Sequence, residues 1–201
     1  MSGSLPTSPG FSEAGLTHNQ PVIVSNAQTG KRKSRIIAGH LWEITASYPP
    51  MTRMEFSPIY SFIISQRGAF DSFTLTLPNF NTPQGTQSGA LSVNGIHSAG
   101  DSSIQIDGML TSETEAMKAG DILKFANHTK VYMLTADVDT DGGGAGTFNI
   151  EPPLINDLVD NELVTIENVP FTVASKGGPQ EFKTRAPGIS RFSIDLIEDI
   201  N

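Results

Sequence analysis

Asp137, Asp139 and Asp141, followed by Gly142, stand at alternate positions and match the first six residues of a calcium-binding loop. Three carboxylates so spaced can converge on one hard cation. The pattern then lapses. The bidentate glutamate belongs at the twelfth position, which here is Phe148, and Glu151 stands outside the register. The flanks read as strands, not helices. The same residues therefore also fit an acidic, glycine-rich hairpin tip, where aspartate and glycine supply turn geometry. No other metal site is expected. His18, His40, His97 and His128 stand apart from one another, without ligand spacing and without an HExxH string. Each reads as a surface or core residue. Cysteine is absent, which removes thiol nucleophiles, disulfides and Cys-ligated metals. No G-x-S-x-G elbow occurs, and Gly30-Lys31 lacks the upstream glycine of a phosphate loop. Carboxylates abound in the second half, but nothing singles out a glycosidase pair. No catalytic residue and no cofactor is expected, and the chain reads as a non-enzyme.

Lys31, Arg32, Lys33 and Arg35 form the one basic cluster. Such a run can contact phosphate, guard an exposed hairpin or edge strand, or meet an acidic neighbouring subunit. Elsewhere the balance is acidic. The chain has 201 residues, with 13 Lys and Arg against 21 Asp and Glu, a net charge of −8. That balance argues against general nucleic-acid binding, which needs surplus cations to neutralise phosphates. The net charge hides a division. Through residue 88 there are six basic and four acidic residues, and the remainder carries a net charge of −10. A bipolar chain suits directed association, although an acidic domain is also simply soluble. Charged residues are only 17% of the chain, below the roughly 25% of an average soluble domain. MSGSLPTSPGFSEAG has neither a basic start nor an apolar run, so no signal peptide is expected, and no apolar stretch approaches a membrane span.

The elements that must position these groups are mostly strands. Residues 1–18 read as a flexible N-terminal arm. QPVIVSN is a short β-branched run ending in the turn-like NAQTG. Ile44, Ala46 and Tyr48 then alternate with Glu43, Thr45 and Ser47 in a strand that Pro49-Pro50 ends. Thr52 and Glu55 form a capping box, Ile59, Phe62 and Ile63 make one apolar stripe, and Gly68 stops the helix. Pro58 either kinks this helix or starts it afresh, with Ser57 as its cap. Phe73, Leu75 and Leu77 alternate up to Pro78, and residues 78–90 read as a polar linker or crossing loop. Beyond it, eight short strands recur about every ten residues, the spacing of a sandwich or small barrel. The run 130–138 and the return TFNIEP read as a hairpin.

Three stretches together resemble the distal tail (Dit) proteins of long-tailed, non-contractile phages. They are LWEITASYPPMTRMEFSPIYSFIISQRG, AFDSFTLTLP and MKAGDILKFANHTKVYMLTADV. The resemblance spans residues 20–200 in element order. It implies a mainly β chain, with an N-terminal β-sandwich bearing one α-helix, tail-tube-like, over 19–88, and a second small OB-like β-barrel over 89–180. It also implies that 181–201 return to complete the first domain. A structural virion protein would follow, assembled in the host cytoplasm and placed at the tail tip. Six copies would form a ring joining the tail tube protein to the baseplate hub, near the tape measure protein, around a channel for DNA. Arg53 and the 31–35 cluster are then the first candidates for subunit contacts. Glu55 is explained by its capping box, and Trp42 reads as core. An alternative is a carbohydrate-binding barrel, although after residue 89 the only tyrosine is Tyr132 and there is no tryptophan. A tail-associated hydrolase is a third reading, with no motif behind it.

Overall fold

The computed structural model describes residues 3–37, 39–177, 183–185 and 188–200. Of the segment expected to return, residues 181, 182, 186, 187 and 201 lie outside them. The described strands are β1 (Glu13–Asn19), β2 (Val22–Asn26), β3 (Arg32–Ile36), β4 (Leu41–Ser47), β5 (Phe73–Leu75), β6 (Leu91–Val93), β7 (Ser103–Asp107) and β8 (Ile122–Phe125). They continue as β9 (Tyr132–Leu134), β10 (Gly146–Glu151), β11 (Leu163–Thr165), β12 (Phe171–Ser175), β13 (Lys183–Arg185), β14 (Ile189–Arg191) and β15 (Ser193–Glu198). With α1 (Arg53–Ser65) as the single described α-helix, the chain is mainly β, as the strand periodicity requires.

Two compact units share it. The first comprises residues 1–73 and 173–199, and the second residues 74–172 with 200–201. The first is built on a five-stranded sheet in the order β1-β4-β15-β12-β5. Alternation along β4 buries Trp42, Ile44 and Ala46 on one side, and β15 answers with Ile194 opposite Ala46 and Leu196 opposite Ile44. Residues 13–18 are strand, not arm. β1 pairs with β4 over seven residues, from Glu13 opposite Ser47 to Asn19 opposite Leu41. Leu5 is also buried, and Ser12 N–H donates to the Ser47 carbonyl at 2.8 Å. Few apolar residues mark β1 because it lies at the end of the sheet order and only Ala14, Leu16 and Asn19 are half-buried.

α1 starts at Thr52, whose backbone N–H and hydroxyl both donate to Glu55 Oε2, at 2.8 and 2.9 Å. These bonds hold the Glu55 carboxyl below its usual pKa. The helix passes through Pro58 unbroken. The carbonyl deprived of its partner there belongs to Met54, a residue that is 87% exposed. Phe56, Ile59 and Ile63 are buried. Phe56 meets Phe192 and Phe62 meets Phe73, at ring separations of 5.5 and 5.4 Å.

In the second unit, six antiparallel strands close into a barrel in the order β10-β7-β6-β11-β8-β9, with β9 completing the circle onto β10. Ile104, Ile106, Phe125, Tyr132 and Phe148 fill its core. Residues 78–90, expected as a linker, lie along the barrel. After a 3-10 turn over Pro78–Phe80, Gln84 N–H and Nε2 donate to Asp121 Oδ1, and Gln87 N–H donates to the Ala116 carbonyl at 2.9 Å.

One buried histidine, His128, gives the barrel a group that should respond to acid. Tyr132 Oη lies 2.6 Å from His128 Nδ1 and accepts from Ile155 N–H. That assignment makes Nδ1 an acceptor on a neutral ring. Burial holds His128 below its ordinary pKa, and the Glu162 charge and the Asp157 carbonyl oppose this only in part. Between the lowered folded value and the unfolded value of about 6.5, the unfolded chain binds the proton that the folded chain refuses. The His128 contribution to barrel stability is therefore fully present above that window and is lost as pH drops through it. Urea midpoints at pH 7.5, 6.0 and 5.0 should decline, and less so in His128→Asn. Equal slopes in the two proteins would exclude His128 as the cause.

Candidate assembly interface

β2 and β3 pair only with each other, and all ten of their residues are exposed. NAQTG makes the tip, with Ala27 N–H donating to the Lys31 carbonyl and Gly30 at φ +78°. A two-stranded ribbon is marginal in water unless something covers it. Its register gives it two sides. Residues directly opposite each other point the same way, so Val22 and Val24 share a side with Ile36, the last of these 65% exposed. Ile23 and Ser25 share the other side with Arg35 and Lys33. Lys31 and Arg32 stand where the tip enters β3. Lys31, Arg32, Lys33 and Arg35 take part in no ion pair among the described residues. The expected basic cluster is thus carried on the edge of an uncovered apolar ribbon, which periodicity alone did not reveal.

Arg53 stands apart from that cluster. It is exposed at the first position of α1 and lines a groove of about 670 Å³ with Phe56, Tyr60, Ile64 and Ser190. This groove went unseen in the sequence, although Ile64, off the buried stripe, was a signal for it. Glu55 is occupied by its capping box. Trp42 is core, with its ring 4.5 Å from His40 and 5.6 Å from His18.

The three aspartates of the calcium pattern do not turn inward together. Asp137 Oδ1 accepts from Ala119 N–H at 2.8 Å, and Asp139 Oδ1 from Glu115 N–H at 2.9 Å. Asp141 Oδ1 accepts from Gly143 and Ala145, amides that hold its carboxyl below the usual range. Each carboxylate fixes a different stretch of backbone. Among the described residues no group of three His, Asp or Glu side chains is placed to hold a metal. His97 Nε2 accepts from Gln105 N–H at 3.2 Å, a local loop contact.

Comparison with known proteins gives the family. The family model described as "Distal tail protein pb9, A domain, N-terminal" matches residues 4–80, and the "Distal tail protein pb9, B domain" model matches residues 83–169. The chain belongs to the distal tail protein family. It is 26% identical over 176 residues to distal tail protein pb9 of Escherichia phage T5, an alignment covering 84% of this chain and 81% of that protein. The family is structural, not enzymatic, and of the Dit type found in siphophages. Its members are components of the virion tail and assemble with other tail proteins. No described helix is long and apolar enough to cross a membrane.

Proposed function

We propose that the chain is a distal tail ring subunit. Copies close a ring, six by likeness to the family, with each subunit offering one face to a different face of the next. The ring caps the tail tube, leaves a channel for DNA and carries the tail-tip or baseplate hub, with the tape measure protein passing nearby. In this reading the sheet unit, residues 1–73 with 173–199, forms the ring, and the barrel unit, residues 74–172, lies outside it.

The observation that carries the proposal is the β2–β3 ribbon. Its apolar side is uncovered within the chain, and in a family of tail components a sister subunit is the natural cover. Burying Val22, Val24 and Ile36 would supply affinity, since apolar burial contributes about 25 cal/mol per Å².

Sedimentation velocity and negative-stain imaging test this, on the concentrated protein alone and with tail-tube subunits. A ring, or addition to tube ends, is expected. The double variant Val22→Asp, Ile36→Asp should stay folded and monomeric, with association weakened by at least about a hundredfold, as two buried charges would cost. A wild-type protein that stays monomeric under both conditions sinks the proposal.

A further inference from the structure

We propose that, in the assembled protein, the basic side of the β2–β3 ribbon of one copy lies along the Asp137–Asp141 segment of a neighbouring copy's barrel. The inference rests on the self-association reading above and names the surface that meets the ribbon.

Charge separates along the folded units. The first unit holds ten basic and eight acidic residues, and the second three basic and thirteen acidic. Between Asn19 and Trp42 there is no acidic residue to neutralise the ribbon's four cations. On the barrel, Lys118 is paired with Glu115 at 2.7 Å and lies within reach of the Asp137 charge, Lys130 is buried, and none of the three aspartates takes part in an ion pair among the described residues. A copy therefore carries an unneutralised cationic strand and an unneutralised anionic segment. Two copies can satisfy each other.

The spacing also matches. Lys31, Lys33 and Arg35 are two residues apart along the β3 strand and its entry. Asp137, Asp139 and Asp141 are two residues apart along an extended segment. There Val138 turns inward and bridges to Met117, while the three aspartates are exposed. Extended chain repeats about every 6.7 Å per two residues, so three cations and three carboxylates can meet in register. Asp137 and Asp139 each have one oxygen held by a backbone amide, which fixes the side chain before any partner arrives. Arg35 can grip a carboxylate with two parallel bonds. In such a contact Ile23, exposed on the basic side, adds apolar area, and the charges supply orientation and partner choice; the opposite, apolar side stays available for the cover proposed above.

A charge-reversal exchange tests the pairing. Lys33→Glu, Arg35→Glu reverses the ribbon, and Asp137→Lys, Asp139→Lys reverses the barrel segment. Each variant alone should assemble at least tenfold more weakly than the wild type, by sedimentation velocity at 50 mM salt. An equimolar mixture should regain assembly, because each reversed surface then finds its complement on a different chain. Circular dichroism checks that both stay folded. If the lysine pair unfolds the barrel, Asp137→Asn, Asp139→Asn keeps an acceptor oxygen for both amides. Copies carrying it should then rescue the reversed ribbon better than wild-type copies do. Variants that assemble like the wild type, or a mixture no better than its components, would overturn the pairing and leave ring formation standing. A wild-type protein that never assembles would overturn both.

Discussion

Replacing Gly85 by alanine should cost the barrel about 3 kcal/mol or more, the upper end for forced overpacking. A Cβ built on Gly85 would lie 2.2 Å from the Ala116 carbonyl oxygen and 2.5 Å from that of Glu115. Both are backbone atoms, so no side chain can swing away to make room. Backing the strap off the barrel would break the bonds on either side, from Gln84 to Asp121 and from Gln87 N–H to Ala116, and would release Gln87 Oε1 from Leu110 N–H. The protein has a built-in means of locating the damage. Its single tryptophan, Trp42, is buried in the sheet unit and reports on that unit. In urea, the far-ultraviolet dichroism should lose barrel signal at a lower midpoint than in the wild type, ahead of the Trp42 emission change. Gly39→Ala, where nothing lies within 4 Å of the added carbon, should shift stability by less than about 0.5 kcal/mol. A Gly85→Ala protein as stable as that control would show that the strap is not held as described.

Phe192→Ala should have an effect of similar size in the other unit, about 3–5 kcal/mol. Phe192 is 3% exposed and lies just before β15. Its ring meets those of Tyr48 at 6.0 Å, Phe56 at 5.5 Å and Tyr60 at 6.4 Å. It thus ties α1 to the chain entering the middle of the sheet. Truncation leaves a cavity under the helix and loses the ring-to-ring contacts. The Trp42 emission midpoint should fall steeply. Association should fall with it, since the helix groove and the ribbon both belong to this unit. Phe192→Leu keeps most of the volume and should recover most of the loss. Unchanged Trp42 unfolding in Phe192→Ala would remove the ring cluster from its place as the helix anchor.

Much of the fold is written in local patterns. β4, β5 and β15 announce themselves by alternation, and α1 by Thr52 and Glu55, because these signals act within a few residues. Pro58 was ambiguous because a helix tolerates an interior proline most readily on its exposed side, where Met54 lies, a matter of exposure and not of sequence. β1 was misread as arm because EAGLTHN buries little, and its partner β4 lies 22 to 34 residues away. Barrel closure was equally hidden, since β10 beside β7 and β6 beside β11 join strands far apart in sequence. The basic cluster was legible as a candidate contact, but its two-sided ribbon needed the register. The aspartate triplet was ambiguous for a related reason. The amides held by Asp137 and Asp139 belong to Ala119 and Glu115, on a loop 18 and 24 residues upstream.

The order of strands in the sheet also bears on when this protein becomes competent to assemble. β15 occupies the middle of β1-β4-β15-β12-β5, yet it is the last of these strands to leave the ribosome. All six barrel strands have emerged by residue 165, and the sheet still lacks its centre. Domains fold as their residues emerge, so the acidic barrel can be in place while the sheet unit remains open. A nascent chain would then be unable to present a finished sheet unit to other tail proteins. Translation itself would act as the timer that keeps assembly away from the ribosome.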